Sequence, residues 1–141
     1  MGTPIASDHA GFNLKRQILA ASNALLEFED FGTTSIDSVD YPAFAHTVAQ
    51  YVLEHPTTKG ILICGTGNGM QMTANKHSDI RAALCWTPEI AQLAREHNDA
   101  NILVLPARFI DTETAIQCVT TFFNTAFAGG RHQNRVDQIN V

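Results

Sequence analysis

The chain has 141 residues, 45% of them hydrophobic, and a formal net charge of −5. That length makes one domain, residues 1–141, with a real core. The acidic balance argues against nucleic acid as a partner, and no apolar run reaches the ~20 residues needed to cross a bilayer.

In chain order, Pro4–Ser7 predicts a short first strand that ends at Asp8-His9-Ala10-Gly11. Pro4 restricts that strand to a sheet edge or a strand start. Phe12–Leu19 has helical spacing, with Phe12, Ile18 and Leu19 apolar and Lys15 and Arg16 on the polar side. Leu25–Phe28 predicts a second strand and 33–39 a polar loop. Asp40-Tyr41-Pro42 opens a helix, with Asp40 as N-cap, and Phe44, Val48, Tyr51 and Val52 form its apolar face. Ile61–Ile63 is a buried strand. After it come a glycine turn, a helix from Met70 to Lys76, and a fourth strand, Ile80–Cys85. Thr87-Pro88-Glu89 is a helix start by cap, proline and acid. His97–Asn101 reads as a polar turn before a fifth strand, Ile102–Leu105. Asp111 opens a long helix to about Ala126, Gly129-Gly130 breaks it, and a tail of about 129–141 carries Arg131 and Arg135. Strand and helix alternate five times, which predicts an α/β fold: a five-stranded parallel sheet with helices on both faces.

The most informative stretch is Cys64-Gly65-Thr66-Gly67-Asn68-Gly69. Glycines permit a tight turn and let a ligand approach bare backbone. The helix start that follows directs N–H groups and a positive dipole end at an anion. Cys64 stands beside that field, where a thiol is expected to ionise more readily than a free one. The spacing fits neither the dinucleotide fingerprint nor the P-loop. A nucleophile or base next to a nest of N–H donors points to chemistry that makes an oxyanion.

In parallel sheets ligands bind at the carboxyl ends of strands. Asp8-His9, Cys64–Gly69 and Arg108 all fall there. His97 and Asn98 precede the fifth strand, so they reach a site on their own subunit poorly and are placed to face a neighbour. Arg131 and Arg135 are four apart; on a helix they share one face and suit a phosphate dianion. Cys85 and Cys118 read as core. The three cysteines are odd in number and widely spaced, which fits no disulfide framework and suggests a reducing, cytoplasmic setting. His46, His55 and His77 read as surface residues. No ligand-like spacing joins His9, His97 and Cys64, so no metal is expected there.

Together these residues resemble the ribose-5-phosphate isomerase B family, which includes galactose-6-phosphate isomerase subunits. The resemblance rests on Ser7-Asp8-His9-Ala10-Gly11-Phe12, Asp40-Tyr41-Pro42, Ile61–Gly69, Ala74-Asn75-Lys76, Ile80–Cys85, Glu96–Asn101 and Gly129–Val136. These pieces span nearly the whole chain in the family's order. The resemblance implies a Rossmann-like doubly wound fold that uses no dinucleotide, no cofactor and no metal. It implies a homodimer or homotetramer with active sites between subunits. It also implies isomerisation of D-ribose 5-phosphate and D-ribulose 5-phosphate through an enediolate. Cys64 is then the base, with Thr66 assisting at the sugar hydroxyls and His97 donating a proton in ring opening. Asp8, His9, Gly65, Thr66, Gly67, Asn68, Gly69, Asn98, Arg108, Arg131 and Arg135 are implied substrate contacts. The alternatives are a hexose-6-phosphate isomerase acting on allose or galactose 6-phosphate, and a non-catalytic phospho-sugar-binding module.

Overall fold

Apolar strands that alternate with amphipathic helices can bury both faces only as a covered parallel sheet. The computed structural model describes residues 2–22 and 26–141. Its sheet contains β1 (Thr3–Ser7), β2 (Phe28–Asp30), β3 (Gly60–Cys64), β4 (Ala82–Leu84) and β5 (Ile102–Pro106), all parallel, in the order β2-β1-β3-β5-β4. The helices are α1 (Phe12–Ser22), α2 (Tyr41–Glu54), α3 (Asn68–Ala74), α4 (Pro88–Asn98), α5 (Thr112–Asn124) and α6 (Arg131–Asp137).

Side chains alternate across a strand, so the sheet divides its residues between two cores. Ile5, Ile61, Ile63, Leu103 and Leu105 pack with Leu14 and Ile18 of α1, Ala91 and Ala94 of α4, and Cys118, Val119 and Phe122 of α5. Ala6, Leu62, Cys64, Ile102 and Val104 pack with Ala45, Val48, Ala49 and Val52 of α2 and with Met70 and Ala74 of α3. The result is three layers, and the Cys64 side chain faces the α2–α3 layer. Cys85 and Cys118 are buried free thiols, pushed up to about 12 and about 11 by desolvation, which fits a packing role.

Several expectations change in detail. Of the two placements Pro4 allows, the strand start holds: β1 is central, Pro4 is its second residue, and the β1–β3 register begins only at Ile5, so no donor is needed from that side. Lys15 is buried, not surface polar. Its Nζ donates to Asp30 Oδ1 and to the Thr33 carbonyl, each at 2.6 Å. A buried ammonium requires such partners, and the tie holds the start of the 33–39 loop against α1. The second strand begins at Phe28; Leu25, its expected start, lies outside the described residues. Asp40 occupies the N-cap of α2 in extended conformation but makes no side-chain cap bond. Thr87 and Asp111 do cap, accepting from Ile90 N at 3.2 Å and Thr114 N at 2.7 Å.

Strand β4 is shorter than expected, pairing with β5 only over Ala82–Leu84, and a side-chain amide covers its outer edge. Ala82 N donates to Asn75 Oδ1 at 2.8 Å, and Asn75 Nδ2 donates to the Ala82 carbonyl at 3.0 Å. The expected polar turn at 97–101 is helical as far as Asn98. Asp99 ends α4 in the left-handed region at φ 49°, and the buried Arg95 guanidinium satisfies Asp99 Oδ1, the Ala100 carbonyl and the Thr125 carbonyl.

Candidate active site

From β1 the chain moves outward to β2 and then returns to place β3 on the other side of β1. The carboxyl ends of β1 and β3 therefore flank the switch point where sheets of this kind leave a ligand crevice. Asp8 follows β1. It is buried, its backbone N donates to the Ile63 carbonyl at 3.2 Å, and its Oδ1 accepts from Gly11 N at 3.0 Å. A Cβ on Gly11 would lie 2.7 Å from the Ile63 carbonyl oxygen, so this first loop sits directly on the end of β3. His9 Nδ1 accepts from Val39 N at 3.2 Å. An amide can only donate, so Nδ1 is unprotonated and Nε2 carries the ring proton.

Cys64 ends β3 in the Cα register of Pro106, a buried free thiol at the carboxyl end of the sheet with 5% of the residue exposed. Gly67 turns the chain into α3 at φ 80°, a left-handed conformation suited to glycine. Helix α3 starts at Asn68, two residues earlier than its apolar pattern suggests, and it ends at Ala74, short of Lys76. Thr66 and Asn68 are exposed, and Thr66 Oγ1 accepts from Asn68 N at 3.3 Å. Among the described residues no protein acceptor takes the amides of Gly65, Thr66, Gly67 or Gly69. These donors beside one thiol form a site able to hold an oxyanion.

Arg108 lies in a 3₁₀ turn, Ala107–Phe109, just past β5. Its N–H donates to the Gly65 carbonyl at 3.0 Å. A Cβ on Gly65 would lie 3.2 Å from the guanidinium carbon, so the cation folds back onto the glycine turn. Gly69 is needed for a different reason: an added Cβ would sit 2.4 Å from the Tyr41 ring. Tyr41, read from sequence only as part of a helix opening, thus lies against the same turn. The one signal for it was a third glycine in what became the first turn of a helix.

The remaining predicted residues are not brought to this crevice. Helix α4 begins after β4 and runs back before β5, so its end lies at the opposite rim of the sheet. Eleven residues at 1.5 Å each make that displacement roughly 16 Å. His97 and Asn98 sit on this far end, exposed. The His97 ring stacks on His132, with centroids 4.3 Å apart and planes 15° from parallel. His132 belongs to α6, as do Arg131 and Arg135, which are exposed and make no ion pair among the described residues. Partial burial and the neighbouring His97, Arg131 and Arg135 push the His132 pKa down. His132 had no assigned role; its stacking depends on α4 and α6 meeting, which spacing does not reveal.

A cavity of about 750 Å³ opens along the outer edge of β4, lined by Leu84, Ile90, Leu93, Asn98 and Ile139 among others. None of Asp8, Cys64 or Arg108 lines it, so size does not mark the chemistry here. One chain therefore carries two half-sets. The first is a thiol, amides and a cation at the β1–β3 switch point. The second is a stacked histidine pair, an amide and two arginines at the far rim.

Comparison with known proteins gives the class as sugar-phosphate isomerases of a three-layer α/β fold. The chain belongs to the family described as Ribose/Galactose Isomerase, whose model matches residues 4–139. It is 44% identical over 133 residues to "Ribose-5-phosphate isomerase B" of Escherichia coli, covering 94% of this chain and 89% of that protein. A ribose 5-phosphate isomerase structure from Thermotoga maritima is 50% identical, with a TM-score of 0.95 over 98% of this chain and 96% of that one. A ribose-5-phosphate isomerase B structure from Mycoplasma genitalium with bound ribulose-5-phosphate is 42% identical, with a TM-score of 0.92 over 97% and 92%.

Proposed function

We propose that this chain interconverts D-ribose 5-phosphate and D-ribulose 5-phosphate, as an aldose–ketose isomerase of the non-oxidative pentose phosphate pathway in the cytoplasm. The observation that carries the reading is the Cys64 thiol beside four amides with no protein acceptor and the Arg108 guanidinium. The relatives named for this reaction, and the one holding ribulose-5-phosphate, support the substrate.

In this reading Cys64 removes the C2 proton of the open-chain aldose. The electron pair moves through C1–C2 to the carbonyl oxygen and leaves an enediolate. The amides of Gly65–Gly69 receive that charge, the step in which fixed donors contribute most. Cys64 then returns the proton at C1, and a proton moves from the C2 oxygen to the C1 oxygen, with Thr66 at the hydroxyls. His97 donates the proton that opens the sugar ring. Asp8, His9 and Asn98 contact the sugar, and Arg108, Arg131 and Arg135 grip the phosphate.

The separation of the two half-sets supports a homodimer or homotetramer in which the far rim of one subunit completes the crevice of the next. Incubation with ribose 5-phosphate in heavy water tests the chemistry. Deuterium at C2 of recovered aldose is the expected result. Pure protein that exchanges nothing, and is equally inert toward allose 6-phosphate, would reject an isomerase.

A further inference from the structure

Two histidines outside the proposed site meet across separate elements. His46 is on the exposed side of α2, and His77 lies in the turn between α3 and β4. His46 Nδ1 and His77 Nε2 are 2.7 Å apart, with ring centroids at 4.9 Å and planes at 67°. Each neutral imidazole offers one lone pair and one N–H, so the contact uses a single shared proton. The outer nitrogens, His46 Nε2 and His77 Nδ1, take no protein partner among the described residues. They can carry the two ring protons into solvent, which frees both facing nitrogens as lone-pair donors. Burial, and then the proximity of His46, push the His77 pKa down.

We propose that His46 and His77 form a two-ligand site for a borderline divalent transition metal of the Ni²⁺ or Cu²⁺ class, tying α2 to the end of α3. Imidazole nitrogen suits these ions, which stand at the tight-binding end of the divalent series. With metal–nitrogen bonds of about 2.0–2.1 Å, two ligands at 90° place their nitrogens roughly 2.9 Å apart, and two at the tetrahedral angle about 3.3 Å apart. The nitrogens at 2.7 Å need only a few tenths of an ångström to reach the first arrangement. The matching ring-centroid spacings are about 4.5 Å and about 5.2 Å, which bracket the 4.9 Å present. The facing nitrogens are hydrogen-bonded to each other, so the ion enters as the rings turn their opposed lone pairs into convergent ones. No cluster of three or more His, Cys, Asp or Glu side chains gathers among the described residues, so water fills the remaining positions and exchange is fast. The clamp would hold α3, which starts directly after the turn whose amides are proposed to receive the enediolate.

Titration of the full chain with Ni²⁺ alone, followed by calorimetry in a Cys64→Ser background that removes the competing thiol, tests this. One ion per chain is expected. His46→Gln and His77→Gln should each weaken binding by at least ~10–100-fold, the range seen when even outer partners of a metal ligand are lost. His55→Gln, which alters the ring stacked on Tyr51 instead, should not. Ni²⁺ should also broaden the ring-proton resonances of His46 and His77 first in the unmutated chain, a readout that needs no variant to fold. Retention of the ion by both glutamine variants, equal loss in His55→Gln, or broadening centred on other histidines would each overturn the proposal.

Discussion

At the scale of single residues, the crevice works by what is left unpaired. A thiol ends β3, four amides of the turn after it have no protein acceptor among the described residues, and a guanidinium folds back onto Gly65. Replacing Cys64 with serine keeps the shape and removes the base. Turnover should fall by about a hundred- to ten-thousandfold, with the thermal midpoint little changed, as read by an isomerase assay and a melting curve. Two histidines set a pH dependence. The folded-state pKa of His77 is lowered by burial and then by His46, and that of His132 by partial burial, His97 and the two arginines. The folded chain therefore binds fewer protons than the unfolded one just below the ordinary histidine pKa of about 6.5. The stability concerned is fully present above that value and is lost as pH falls through the lowered values. Thermal midpoints from pH 7 to pH 5 should fall more steeply for the unmutated chain than for His77→Gln.

At the scale of elements, side chains finish what the backbone leaves open. The amide of Asn75 stands in for a missing strand beside β4, accepting from and donating to Ala82. Asn75→Ala leaves both Ala82 groups without those partners. A loss of about 1–3 kcal/mol is expected from denaturant unfolding, with β4 the first strand to lose hydrogen-exchange protection. This element also shows where pattern reading falls short. The apolar run Ile80–Cys85 was legible as a strand, but the covering of its outer edge by an amide seven residues upstream of Ala82 was not. The end of α4 is a similar case. His97-Asn98 reads as a turn from composition. The helix runs to Asn98 and stops at Asp99, a left-handed cap, and Arg95 ties Asp99 and the buried Ala100 carbonyl to the Thr125 carbonyl, a partner thirty residues away.

At the scale of the whole molecule, the two half-sets imply a shared site, and complementation tests it. A Cys64→Ser chain mixed with a His97→Gln chain should regain activity after subunit exchange. Random pairing of two-site dimers makes half of the dimers mixed, each with one intact site, so about a quarter of the unmutated activity is expected. No recovery after verified exchange would place both residues in one chain's site. Dilution should also reduce specific activity once subunits separate.

What the chain revealed by itself was local. Short continuous apolar runs marked the strands, proline and capping residues marked helix starts at Thr87 and Asp111, and an alternating glycine turn after Ile61–Ile63 marked the expected anion site. These depend on backbone sterics and on neighbours a few residues apart, which a sequence displays directly. Tertiary structure alone decided that β1 is central, that Lys15 is buried against Asp30 and Thr33, that Tyr41 lies on Gly69 and that His132 stacks on His97. It also decided that His97 and Arg131 stand a helix length away from Cys64. Strand order and helix direction set these relations, because they bring together residues whose separation along the chain carries no trace of their distance in space.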